Sequence, residues 1–66
     1  MLDFTDSELL LLTVALEDLR DNYEALLDSA DLTALEHNEV LDNKTMSNRL
    51  LRKLRAELKM RGVKLP

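Results

Sequence analysis

The chain carries few of the residues that perform nucleophilic chemistry. Its serines, Ser7, Ser29 and Ser47, have a single histidine, His37, available as a base, and there is no cysteine. A nucleophile needs a base within hydrogen-bond reach and a third group that orients that base. A chain of 66 residues is also too small to enclose a water-excluding cleft around such a group. We therefore predict a protein that is not an enzyme.

Potential metal ligands surround the histidine in the segment Glu36-His37-Asn38-Glu39. Adjacent residues on a helix point in different directions, and one histidine without a second histidine or a cysteine is a weak transition-metal site. We predict no metal, no other cofactor, and a surface or interface position for His37. A metal held between two copies of the chain stays open as an alternative.

The most regular charged pattern is a row of carboxylates near the middle of the chain. Spacings of four, three and four residues place the row on one face of a helix, with one more carboxylate beside it: Glu17, Asp21, Glu24 and Asp28, with Asp18 adjacent. The row is either a solvated outer face or a binding face for a basic partner. If that partner is a DNA-binding protein, the carboxylates can compete with the phosphates that such proteins neutralise.

A basic segment, NRLLRKLRAELKMRG, occupies the other end of the chain. Its candidate contacts to nucleic acid are Arg49, Arg52, Lys53 and Lys59. A cationic amphipathic helix can also bind an anionic membrane or an acidic protein. The net charge of −4 and the lack of aromatic residues among these bases speak against nucleic acid. The narrow apolar face, without Trp, speaks against a membrane.

The two patterns belong to a chain whose charge is divided. Residues 1–43 carry twelve acidic residues and one base, whereas residues 44–66 carry eight bases and one acid. An antiparallel arrangement of the halves predicts two groups of ion pairs: Arg55, Lys59 and Arg61 near Asp3, Asp6 and Glu8, and Arg49 and Arg52 near Glu17 and Asp18. Exposed ion pairs are worth only about 0–1 kcal/mol each, so they would set orientation more than stability.

The acidic half contains a long helix, predicted over residues 6–29. Thr5 and Glu8 have the spacing of a capping box at its start. Apolar residues at alternating spacings of three and four follow the a/d repeat of a coiled coil: Leu9, Leu12, Leu16, Leu19, Tyr23, Leu26 and Ala30.

The second half is predicted to be helical over residues 32–42, with Asp31 as the cap, and again over 47–61. The polar residues 43–48 are either a loop or the middle of one long helix. Gly62 is expected to end the last helix, with Val63 folding back onto Leu58. The predicted core and dimer contacts are Leu9, Leu12, Leu16, Leu19, Leu50, Leu51, Leu54 and Leu58.

The beginning of the first helix is apolar almost all the way around. One partner helix would leave Leu10, Leu11 and Val14 in water, and soluble monomers seldom expose such a patch. Three arrangements cover it: a homodimer, a third helix made by residues 31–42, or another protein docked on it. We expect a single all-α domain, an antiparallel hairpin of two or three helices that dimerises into a four-helix bundle.

Neither a membrane span nor a secretion signal is expected. No segment approaches the roughly 20 apolar residues that cross a bilayer. The opening MLDFTDSELLLL is acidic before its apolar run, the reverse of a signal peptide. We predict a cytoplasmic protein.

The layout of the chain resembles a family of small proteins. The family likeness consists of Phe4-Thr5-Asp6-x-Glu8 leading into residues 9–12, Tyr23 late in the first helix, and a Leu/Arg/Lys helix after Asn-Lys-Thr. With these features the chain resembles small acidic all-helical anti-repressors and phage modulators, such as the Bacillus inhibitor of the regulator AbrB. The resemblance implies a dimer of hairpins whose acidic surface covers a DNA-binding face. The strongly basic second half departs from that family pattern.

The residues and the resemblance together predict a small non-catalytic binding protein. It would dock on a larger bacterial or phage protein through the acidic row and change the activity of that protein, in the inhibitory direction. The alternative is a helical nucleic-acid-binding protein that uses the basic segment. A purely structural oligomer is the third reading.

Overall fold

The computed structural model describes residues 3–29 and 31–65. Two helices, α1 (Asp6–Leu27) and α2 (Ala34–Met60), pack against each other as an antiparallel hairpin. The predicted all-α helical hairpin is therefore confirmed. The molecule measures 42 × 21 × 14 Å, which is one layer of helices in its smallest dimension.

The start of α1 is closed by the predicted capping box. The Thr5 hydroxyl accepts the Glu8 backbone N–H at 3.1 Å, and the Glu8 carboxylate accepts the Thr5 backbone N–H at 2.8 Å. These bonds satisfy two donors that the helix itself cannot pair. The hydrogen bond from the Thr5 backbone, and then the bond from its hydroxyl, lower the pKa of Glu8 below its ordinary value of 4.5.

The turn differs from the prediction at both of its edges. α1 ends at Leu27, two residues before the predicted end, and Ser29 donates its N–H to the carbonyl of Leu26 at 3.0 Å. The cap of α2 is Thr33, not Asp31 as predicted: its hydroxyl accepts the Glu36 N–H at 3.2 Å. Thr33 and Glu36 repeat the spacing of Thr5 and Glu8, which explains the later start. Ala30, in the predicted seam, lies outside the described residues.

α2 is one helix through the polar stretch 43–48. The hydroxyls there bond to backbone carbonyls four residues earlier, Thr45 to Leu41 at 3.0 Å and Ser47 to Asn43 at 2.9 Å, so they do not interrupt the helix. No Gly or Pro interrupts residues 34–60 either. The separate helices 32–42 and 47–61 are therefore joined, and the three-helix monomer is wrong.

The end of α2 has the predicted Schellman geometry. Gly62 has φ of 76°, a conformation that other residues rarely adopt. The N–H of Val63 bonds to the carbonyl of Leu58 at 3.0 Å, and that of Gly62 to Lys59 at 3.1 Å. Val63 also packs against the core, so this ending ties the last helical turn to α1.

The interior of the hairpin is a narrow stripe. Four leucines are buried in it, Leu9 from α1 and Leu51, Leu54 and Leu58 from α2. Two buried hydroxyl residues, Thr13 and Ser47, continue the stripe. The Thr13 hydroxyl donates to the carbonyl of Leu9 at 2.8 Å, so this buried polar group is satisfied within its own helix.

The row of α1 residues that faces α2 is rotated about the helix axis relative to the predicted seam. The side facing α2 contains Leu9, Thr13 and Leu16, whereas every second member of the predicted seam is exposed. These exposed members are Leu12 at 37%, Leu19 at 40% and Leu26 at 44% of their full accessible surface. A single partner helix covers one stripe only, and the wider apolar band of α1 extends past it.

Removing Leu58 should destabilise the hairpin strongly. Leu58→Ala loses a fully buried side chain from a core of four leucines, and we expect the free energy of unfolding to fall by about 2–5 kcal/mol. Leu35→Ala, at a leucine that is 70% exposed, is the matched control and should change it by about 0.5 kcal/mol at most. Urea unfolding followed by circular dichroism measures both; equal losses would contradict the assigned core.

The charged carboxylate of Glu8 should stabilise the fold only at pH values above its folded pKa. Because folding lowers that pKa, the carboxylate stabilises the fold above the ordinary value of 4.5, and this contribution is lost as the pH falls through the folded pKa. Glu8→Gln keeps an acceptor but not the charge. We expect wild type to melt above this variant at neutral pH and the difference to shrink as the pH is lowered through the folded pKa of Glu8, measured by thermal denaturation over a series of pH values.

Asp18→Asn is the control for that experiment, since Asp18 is exposed and makes no hydrogen bond or ion pair among the described residues. The difference in melting temperature between wild type and Asp18→Asn should not shrink at low pH as the difference for Glu8→Gln does. A difference between wild type and Glu8→Gln that is constant with pH would contradict the role given to the Glu8 carboxylate.

Candidate interaction surfaces

The acidic row lies along one flank of α1, and α2 neutralises part of it. Glu17 pairs with Arg55 at 3.3 Å, and Glu24 pairs with Lys44 at 3.5 Å. We call this side the acidic flank and define it by the four residues of the row: Glu17, Asp21, Glu24 and Asp28. The flank is therefore not a uniform line of free carboxylates.

Three of the five predicted acidic residues have cationic neighbours, since Asp21 also contacts Arg20 at 3.2 Å. The remaining two, Asp18 and Asp28, are exposed and form no ion pair within residues 3–29 and 31–65. They are the part of the predicted binding face that stays fully available to a partner.

The cross-helix ion pairs follow a register different from the predicted one. Of the predicted contacts, the pair Arg61–Asp6 forms, at 3.1 Å. Arg55 meets Glu17 instead of the start of α1, and Arg49 and Arg52 make no ion pair in the described part of the chain. The predicted pairing of these two arginines with Glu17 and Asp18 is wrong.

The reason is the side of α2 that faces α1. Leu51, Leu54 and Leu58 define that side, and Arg55 lies at its edge because it follows Leu54 directly and lies one turn after Leu51. Arg52 is exposed on the outer surface of α2 and cannot reach across the seam.

Arg61 ties the two chain ends together. Its Nη1 donates to the backbone carbonyl of Phe4 and to the Asp6 carboxylate, while its Nε donates to Glu57 at 3.1 Å. The hydrogen bond to Asp6 is the main cause that raises the pKa of Arg61 above its ordinary value, so the guanidinium stays charged. The sequence analysis predicted Asp6 as a partner of Arg61 but missed Glu57, although Glu57 lies only four residues before Arg61.

The predicted nucleic-acid contacts lie together on the outer surface of α2. Arg49, Arg52 and Lys53 border one shallow depression, and Lys59 is exposed farther along the helix. None of these four side chains enters an ion pair with another described residue. Pairing within the chain therefore does not explain this part of the basic segment.

The opposite flank of α1 is apolar. A groove there is lined by the side chains of Phe4, Leu12, Leu16, Leu50 and Leu54 and by Lys53. Leu19 and Leu26 extend the row along α1 at intervals of seven residues, and Met46 lies one turn before Leu50 on α2. We call this side the leucine flank and define it by its exposed members: Phe4, Leu12, Leu19, Leu26, Met46 and Leu50.

The predicted core and dimer set thus divides into two groups. Leu9, Leu51, Leu54 and Leu58 are buried and Leu16 is half-buried, whereas Leu12, Leu19 and Leu50 lie on the leucine flank. Phe4 and Met46 were missed as members of this surface. The spacing of Met46 four residues before Leu50 is the signal that could have found the second of them.

The remaining apolar residues at the start of α1 have different surroundings. Leu10 is half-buried and lines a groove together with Val14 and Leu65, so Leu65 lies beside part of the predicted patch while Val14 stays 49% exposed. Leu11, 70% exposed, points away from both flanks.

The chain matches no protein-family model, no curated protein and no solved structure at a significant level. The resemblance to small acidic anti-repressors therefore stays a prediction. Neither helix in the described part of the chain combines the length and apolar character needed to cross a membrane. The same residues contain no group of three or more ligands arranged to hold a metal ion.

Proposed function

We propose that this chain is a small non-catalytic, cytoplasmic binding protein that docks on a larger bacterial or phage protein and inhibits it. The observation that carries the proposal is that the two flanks of α1 differ in chemistry. One flank is acidic and the other is apolar, and the core of the hairpin uses neither. A hairpin of this kind is suited to contacting one partner with each flank.

The acidic flank fits a basic target. Asp28, the flank member that caps the C-terminus of α1, and Asp18, adjacent to the flank, have no cationic partner among the described residues. Both are held by the same helix, so little conformational entropy is lost when they bind. Ten helical residues separate them by about 15 Å along the axis, close to the rise of four base pairs of DNA. The resemblance to anti-repressors supports the same class of target, a DNA-binding regulator.

We propose in addition that the active form is a homodimer that forms a four-helix bundle. The exposed leucine flank supports this part of the proposal, because soluble monomers rarely expose a contiguous apolar surface.

Reversing the charge of the free carboxylates should abolish target binding. We expect tagged wild type, incubated with nuclease-treated bacterial lysate, to retain one stoichiometric protein, and Asp18→Lys/Asp28→Lys to lose it. Circular dichroism should show unchanged helicity, since a cation near the C-terminus of α1 favours the helix dipole.

The control Glu39→Lys/Asp42→Lys makes the same change of net charge on exposed residues of α2. It should retain the target as wild type does. If Asp18→Lys/Asp28→Lys retained the same protein as strongly as the control, the acidic flank would not be the binding face.

A second candidate function is nucleic-acid binding by the outer surface of α2. The absence of ion pairs at Arg49, Arg52, Lys53 and Lys59 within the described residues favours it. Each phosphate contact adds about one unit to the slope of log affinity against log salt.

Fluorescence anisotropy with labelled duplex DNA and RNA over a range of salt decides between the two functions. For the protein-binding function we expect no association at low salt. Association that weakens steeply with salt, and whose slope falls in Arg49→Ala/Lys53→Ala, would replace it with the nucleic-acid function.

A further inference from the structure

We infer that a second copy of this chain occupies the leucine flank, and that it packs antiparallel, with the acidic turn end of each copy beside the basic terminal end of the other. This inference rests on the proposed homodimer and adds to it the contacting face and the orientation.

The area left exposed by the hairpin matches what a dimer would cover. The accessible surface is 5101 Å², whereas a folded monomer of 7.6 kDa is expected to expose about 4,300 Å². The excess of about 800 Å² is close to the area that each partner contributes to a standard protein–protein interface.

The leucine flank is the side on which this area can be covered without burying charge. Its groove is lined by apolar side chains and by Lys53, whose stem can lie along the groove while its amine stays in water. The acidic flank carries the pairs Glu17–Arg55 and Glu24–Lys44, and covering these would desolvate four charged groups.

The spacing along α1 fits a two-fold axis across the helix. Leu12, Leu19 and Leu26 follow one another at intervals of seven residues, so the row is symmetric about Leu19. A perpendicular two-fold axis at Leu19 places that side chain against the partner's Leu19, and Leu12 against the partner's Leu26. Such a self-complementary arrangement is the one that a dimer with two-fold symmetry requires.

Charge along the hairpin selects the antiparallel orientation. Residues 21–43 form the turn end and contain seven acidic residues but no Lys or Arg. The other end combines residues 44–65, with eight bases and one acid, and residues 3–20, with one base and five acids, so it carries nine bases against six acids. A parallel dimer would place two sets of seven carboxylates side by side, whereas the antiparallel dimer places each set beside the end of the other copy whose net charge is positive.

The first test measures oligomeric state by sedimentation equilibrium at micromolar concentration. Wild type should sediment at twice the mass of 7.6 kDa. Leu19→Glu places two like charges at the two-fold axis and should raise the dissociation constant of the dimer at least about thirty-fold. Leu11→Glu, at a more exposed leucine outside the flank, is the matched control and should leave it unchanged.

A wild type that sediments as a monomer, or a dimer that Leu11→Glu dissociates and Leu19→Glu does not, would overturn the assignment of the face. If the leucine flank binds a different protein instead, the isolated chain would sediment as a monomer, and that result would also overturn the proposed dimer.

The second test measures orientation and uses the intact dimer. The chain has no cysteine, so one spin label at Asn38→Cys reports only the distance between copies. Asn38 lies at the turn end, and the antiparallel dimer should give a distance comparable to the 42 Å length of the hairpin. A distance below about two helix diameters, roughly 20 Å, would show a parallel dimer and overturn the orientation.

A label at Asn22→Cys, three residues after Leu19 on α1, lies close to the proposed two-fold axis. It should give a short distance and serves as the control for dimer formation and labelling. These measurements need no target protein. Loss of target binding in Asp18→Lys/Asp28→Lys and loss of dimerisation in Leu19→Glu are therefore separate results, and each proposal can fail without the other.

Discussion

Two helices that pack only on each other share a single stripe, and the rest of the structure depends on this constraint. The stripe holds four fully or nearly fully buried leucines, Leu9, Leu51, Leu54 and Leu58, and two hydroxyl residues that bond to their own helices. The hairpin is a single layer of helices 14 Å thick, and the described residues form no further helix that could bury other apolar residues against it. Leu10 and Leu16 pack partly against this core, whereas the more exposed leucines of α1 lie on its leucine flank or on its outer surface.

The same constraint determines which charges meet. Only residues at the edges of the stripe reach across it, which is why Arg55 contacts Glu17 and Lys44 contacts Glu24. Charges farther around each helix stay in water. Folding therefore leaves the turn end of the hairpin acidic and places most of the bases toward its other end. Exposed pairs contribute little energy, and their effect is to favour one register of the two helices.

A core of four leucines also makes the contacts at the helix ends important. The hydrogen bonds of Thr5 and Thr33, the Schellman turn at Gly62 and the contacts of Arg61 satisfy or cross-link the ends of both helices. Small domains of this size fold with a narrow margin, and a partner that binds only the folded hairpin raises its stability by mass action. Folding and association are therefore expected to be linked in this protein.

The sequence by itself determined that the chain is helical, where α1 begins and where α2 ends. The capping pair Thr5 and Glu8 and the stop at Gly62 act within a few residues, so they are legible without the fold. The acidic row could be placed on one helix face for the same reason. The sequence left open whether residues 43–48 are helical, and the structure shows that they are. Only the tertiary structure decided how α1 is rotated about its axis, because the side chains of α2 select which of two adjacent apolar rows of α1 is covered. It also decided which carboxylates of the row are paired, since an ion pair across the hairpin depends on the register of two helices that are far apart in the chain.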